Sequence, residues 1–138
     1  MAGSFSEYSA SKVLELVVGK TAFATPTTYV GLWTSALTSA STGSTAGEAT
    51  YTGYARAATS GDWGSATSAT PCTIFNSSAI TFAACTAGTS TITYFGIFDA
   101  ATGGNMIAWG SCTSTVISTT QTPATFAINA LELTLTAS

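Results

Sequence analysis

Apolar and polar positions change rhythm once along this chain, near Pro26. Before it, Phe5, Tyr8, Val13, Leu16 and Val17 recur at helical spacing and give a broad apolar stripe. Ser4 and Glu7 have the S-x-x-E spacing of a capping box, in which each side chain accepts a backbone N–H left unpaired at a helix start. Gly19 suits the position just past a helix end. Residues 4–19 are therefore expected to form the one helix, which could pack on its own domain or dock on a neighbour.

After Pro26 the period falls to two. Seven short runs rich in β-branched or aromatic residues follow, at 28–34, 53–59, 79–83, 91–98, 106–112, 115–119 and 130–136, separated by Gly, Ser, Thr, Pro or Asp clusters. In the last run Leu131, Leu133 and Leu135 alternate with Glu132, Thr134 and Thr136, the pattern of a strand with one buried face. In 91–98 both faces are apolar, so that strand is expected to be central and covered on both sides. The pattern predicts a mainly β fold, an antiparallel β-sandwich or jelly roll with one N-terminal α-helix. Residues 1–22 read as the helix and its connection and residues 23–138 as the sandwich, in a single compact domain. Residues 35–52 and 60–71 lack periodicity and read as polar loops, the second carrying an isolated Trp63.

Composition sharpens this picture at the surface. A chain of 138 residues is about one domain long. Only 7 % of its residues are charged, and Ser and Thr make up roughly a third, so hydroxyls must cover much of the surface. With little charge to keep copies apart, much of that surface is expected to be covered by other subunits. Three basic residues and a net charge of −3 argue against nucleic acid, whose phosphates need clustered Lys and Arg. The first apolar run is broken by Glu15, which fits neither a signal peptide nor a membrane span. Cys72, Cys85 and Cys112 follow no metal spacing and read as small buried thiols of a reducing compartment, where the Asn76-Ser77-Ser78 sequon would stay silent.

The inventory of reactive groups is short. Without His the chain lacks the commonest general base and the Ser–His and Cys–His pairs. The carboxylates are scattered between helix, strand and loops, so no catalytic residue, cofactor site or metal site is expected. Asp99 and Asn105 bracket the break in YFGIFDAATGGNMIAWG; two oxygen side chains fall short of a calcium shell, and Gly103-Gly104 suit a hairpin return instead. Trp33 and Trp109, on strands, read as core, whereas Tyr51 and Trp63, in polar loops, are the better stacking candidates for sugar. Arg56 reads either as a buried or interfacial hydrogen-bond hub or as a solvated residue on a strand face. Candidate interface residues are Phe5, Tyr8, Tyr51 and Trp63.

The order of parts resembles a known group. A helix leading into VVGKTAFATPTTYVGLWTSA, then GYARAAT, AITF, TYFGIFDAATGGNMIAWG and a terminal ALELTLT is similar to small virion proteins of tailed bacteriophages, commonly labelled phage tail fibre protein. Proteins of similar size and β-rich build serve as capsid decoration (cement) proteins. The likeness runs from about residue 5 to 136 and is most specific at Gly53–Arg56, Phe95–Asn105 and Ala108–Gly110. It implies a non-enzymatic virion component assembled in the bacterial cytoplasm. Shell decoration is the first expectation, as a homo-oligomer with a trimer favoured, bound to the major capsid protein or other virion proteins. A tail fibre or minor tail protein touching host-surface glycan is the alternative, and a free carbohydrate-binding module a third. The three cysteines, the scant charge and a loop at 35–52 without acidic turns depart from the group, so no metal-binding role is carried over.

Overall fold

The computed structural model describes residues 1–136; positions 137 and 138 of the expected sandwich lie outside the described residues. Strand β1 (Ala2–Phe5) precedes helix α1 (Glu7–Val17). There follow β2 (Tyr29–Trp33), β3 (Ala57–Ala58), β4 (Cys72–Phe75), β5 (Ile80–Thr81), β6 (Thr89–Phe98), β7 (Met106–Ser118), β8 (Thr125–Phe126) and β9 (Glu132–Leu135). Seven strands form one sheet in the order β3-β2-β6-β7-β1-β9-β4, and β5 pairs with β8 in a separate ribbon. The large sheet curls into a half-barrel, and the fold is mainly β with one helix near its start, as the alternation predicts. All pairings are antiparallel except β1 with β9, which run parallel.

The helix starts later than the spacing suggests. Ser4 lies in β1, directly opposite Trp109, so its hydroxyl cannot reach the helix start and the Ser4–Glu7 box does not form. Ser6 is the cap instead: its backbone is extended, and its Oγ accepts the Ser9 N–H at 3.2 Å. Ser4 and Phe5, expected to be helical, are thus committed to the sheet. Two further strands, β4 and β8, fall outside the seven predicted runs.

The core forms on both faces of β2, β6 and β7. On one face Val30, Leu32, Ile92, Phe95, Ile97 and Ala108 pack beneath Phe82 and Phe126, which the small ribbon and its flanks supply. On the other, Trp33, Leu37, Phe98 and Met106 make a second cluster. β6 therefore lies between β2 and β7 with both its faces covered, as its two-sided apolar pattern predicts. The expected break at 113–114 is a bulge and not a strand end: β7 runs on through it, with Tyr94 opposite Ser111 and Ile92 opposite Thr115, and residues 112–114 left without partners on β6. Residues 53–59 behave oppositely. Tyr54 N bonds back to Tyr51 O in a turn, and only Ala57 and Ala58 pair with β2. In the terminal strand burial falls outward from Leu131, fully enclosed, through a half-buried Leu133 to an exposed Leu135.

Candidate functional site

The polar centre of the molecule is Arg56. Its side chain is 1 % exposed, and all five of its N–H bonds find acceptors. Nε and one terminal nitrogen grip both oxygens of Glu48 at 2.7 and 3.0 Å, the paired geometry that suits a planar guanidinium to a carboxylate. The other N–H groups donate to Gly43 O (2.9 Å), Ala100 O (3.0 Å) and Gly103 O (2.8 Å). The flat face of the cation lies 4.1 Å from the Phe98 ring centre and 5.4 Å from that of Trp33, rings that stack on each other at 4.9 Å. A desolvated cation over aromatic rings is worth about 2 kcal/mol. Of the two roles open to Arg56 in the sequence, the structure selects the buried hub.

Tyr54 extends the network. Its hydroxyl donates to Glu48 at 2.9 Å and accepts the Leu32 N–H at 3.0 Å. Burial, reinforced by the Glu48 carboxylate, holds this phenol well above its usual pKa, so it stays a neutral donor. Every donor and both carboxylate oxygens here are engaged, an arrangement that holds loops in place and leaves no group poised to exchange a proton with a substrate.

The opening between β6 and β7 is a hairpin return, as expected. Asn105 donates its backbone N–H (2.7 Å) and its side-chain amide (2.9 Å) to the two oxygens of Asp99, while Gly103 and Gly104 take the left-handed backbone the turn requires. Its carbonyls at 100 and 103 are taken by Arg56. Among the described residues no group of three or more His, Cys, Asp or Glu is placed to hold a metal ion.

The helix presents a second kind of surface. It is anchored by hydroxyls: Ser6 Oγ donates to Met106 O, Ser9 Oγ to Ile107 O, and Ser9 is its one fully buried residue. The C-terminal end of its apolar stripe is uncovered, with Leu16 48 % and Val17 76 % exposed, as is the neighbouring Leu14 at 68 %, whereas Tyr8 and Val13 are half-buried. Ala10, Val13 and Leu14 line an apolar cleft of about 220 Å³ together with Phe5 and Leu135. The charged side of the helix is internally paired, Glu15 with Lys12 and Lys20, and Lys20 draws the Glu15 carboxyl below its usual range.

The four candidate interface residues therefore occupy different places. Phe5 borders this cleft, and Tyr8 is half-buried with its ring edge-on to Phe23. Tyr51 is 2 % exposed and donates its hydroxyl to Ala83 O, so the expectation of an open stacking face there is corrected: the loop folds inward. Trp63 is half-buried against the core, and its backbone pairs with that of Asn76. The structure brings none of these aromatic rings together as a platform.

A family model described as Podophage GP4 fiber I protein gp80 matches residues 4–134. The chain belongs to this family. No curated protein matches it. Membership makes the gp80-family chain a structural protein of a tailed-phage virion, in agreement with the resemblance read from its motifs. The gp80-type match spans both the Arg56 hub and the helix, so both lie within the part of the chain the family shares.

Two polar residues that hold the fold escaped the sequence reading. Glu48 stands in a low-complexity loop with nothing to mark it as the partner of Arg56 eight residues on. Asn76 is fully buried: its amide donates to Ser78 O and Ala127 O at 2.8 Å each, and its carbonyl accepts Leu131 N–H at 2.8 Å. The sequon asparagine is thus committed inside the protein.

Proposed function

We propose that this protein is a non-enzymatic building block of the virion's fibre apparatus, acting through rigid assembly. The observation that carries the reading is the family match over residues 4–134, whose description names a podophage fibre. The geometry agrees with it. The Arg56 cluster is buried and fully paired, and several exposed large apolar side chains, Leu14, Leu16, Val17 and Val18, gather on the helix and its C-terminal end. Exposed apolar surface rimmed by polar residues marks protein contact sites. In this reading α1 seats the subunit on another virion protein. The shell-decoration reading rests on the same build and lacks a matching family description, so it takes second place.

Localisation in purified particles by cryo-electron microscopy tests the proposal. Copies confined to the tail are the expected result, and copies spread over the shell would replace it with decoration. The attachment surface is tested separately by Leu14→Ser/Val17→Ser, introduced into the phage. Particles lacking the variant, with an unchanged melting midpoint of the purified protein, are expected; normal incorporation would remove the helix from the contact.

A further inference from the structure

The sheet depends on β1 for its continuity, and β1 is lightly held. Its register sets Ala2 and Gly3 beside Glu132 and Leu133 of β9, and Ser4 and Phe5 beside Trp109 and Ala108 of β7, so that β1 is the one strand between them. Without it the seven strands would fall into β3-β2-β6-β7 and β9-β4. Both walls of that gap are fastened independently of β1. β7 is paired with β6, and β9 with β4, while Asn76 Oδ1 accepts the Leu131 N–H at 2.8 Å and Leu131 itself is fully enclosed in the main core.

What fastens β1 and α1 is mainly polar. Among the described residues, none before Val30 belongs to either buried apolar cluster. Ser6 N–H donates to Ile107 O at 3.0 Å, Glu7 N–H to Ser39 O at 2.9 Å and Glu132 N–H to Met1 O at 3.0 Å, and the Ser6 and Ser9 hydroxyls hold Met106 O and Ile107 O. Phe5 and Val13 are only half-buried, beside an exposed Leu135. From the helix the chain runs to β2 through residues 22–27, which are mostly exposed and make no backbone–backbone hydrogen bond. Segments with few buried apolar contacts open at a fraction of the free energy of global unfolding.

We propose that β1 and α1 form a strap, hinged at residues 22–27, that opens and closes as one unit while the rest of the sheet stays folded. The two elements leave together because Ser6 joins them: its N–H and its hydroxyl reach Ile107 O and Met106 O, and the same hydroxyl caps the helix by accepting the Ser9 N–H. Opening leaves a slot one strand wide, walled by Ala108 and Trp109 of β7 and by Glu132 and Leu133 of β9. An extended link spans about 3.3 Å per residue, so residues 18–28 are long enough to carry the helix clear of the sheet. The strap is independent of whether α1 is the surface that seats the subunit on its neighbour.

Native-state hydrogen exchange of the full-length chain, followed by NMR under conditions where closing outruns exchange, tests the strap. The Ser6, Glu7, Ala10 and Glu132 amides, each bonded within the strap or across to it, are expected to share one opening constant, larger by about tenfold or more than that of Ala49, which Leu32 O holds in the body. Val30→Ala, in the buried core and three places from β1 in the strand order, is expected to raise the Ala49 constant several-fold and leave the strap amides unchanged. The reason is that the open form keeps the core which the substitution weakens. Strap amides that share the Ala49 constant, or that rise with it in Val30→Ala, would mean that β1 and α1 leave only with the whole fold. Unequal constants among the strap amides would mean separate fraying of strand and helix. Each of these results would overturn the proposal.

Discussion

Gly31 lies directly opposite Gly96 across β2 and β6, and the two absent side chains leave the floor on which Trp33, Phe98 and Arg56 rest. A Cβ at Gly31 would stand 2.8 Å from the Trp33 ring and 3.3 Å from Arg56 Cγ. At Gly96 it would meet two Phe98 ring atoms at 2.6 Å. The hub is therefore built from a gap in the sheet as much as from the groups that fill it.

Gly96→Ala is expected to destabilise by about 1–3 kcal/mol, the range for overpacking a dense core. Urea unfolding measures it. A midpoint equal to the parent's would mean that the ring pair has slack the distances do not show.

Replacing Arg56 with Met leaves Glu48 and three carbonyls without their donor. Breaking a buried pair on one side costs about 3–5 kcal/mol. Glu48 is 29 % exposed and keeps some water, which favours the lower end. Adding Glu48→Gln to the same chain should cost far less than it does in the parent, and strict additivity in that double-mutant cycle would deny the coupling.

Tyr54 gives a pH signature. An unfolded chain releases the phenol proton near pH 10, whereas the folded protein retains it to higher pH. The unfolded state thus binds fewer protons in that window, and stability is fully present below about pH 10 and falls as pH rises above it. Tyr54→Phe should flatten this fall while lowering stability at neutral pH through the lost hydrogen bonds. An alkaline limb of the same slope in the variant would assign the effect elsewhere.

Asn76→Ala strands the Leu131 N–H and two carbonyls inside the protein. A cost of about 2–4 kcal/mol is expected by urea unfolding. A change within about 0.5 kcal/mol, typical of surface substitutions, would contradict the buried network.

How much of this was readable depended on whether the information was local. The β6–β7 hairpin was readable because alternation, an Asp at the strand end and a Gly pair all lie within one short segment. Strand β1 was not: AGSF has no strand rhythm, and its partners are Trp109 and Glu132, more than a hundred residues away. The helix was visible as a helix, but the face that packs on the sheet was not, because small hydroxyls, Ser6 and Ser9, make that contact and no apolar stripe marks it. Arg56 stood out as the one basic residue of the β region, whereas its acceptors are mostly backbone carbonyls, which no side-chain pattern advertises.

The convergence on Arg56 also bears on how the protein breathes. The segments it joins lie thirteen residues before it and forty-four and forty-seven after it, and the loop containing Gly43 and Glu48 has no strand partners of regular length. Peeling that loop away would expose a cation, a carboxylate and the Trp33–Phe98 stack at once, a cost close to that of unfolding the sheet. Slow amide exchange at Gly43, whose N–H is held by Gly104 O, and at Ala49, held by Leu32 O, would then follow the global opening of the molecule. A stretch that looks like a low-complexity tether behaves as part of the rigid body.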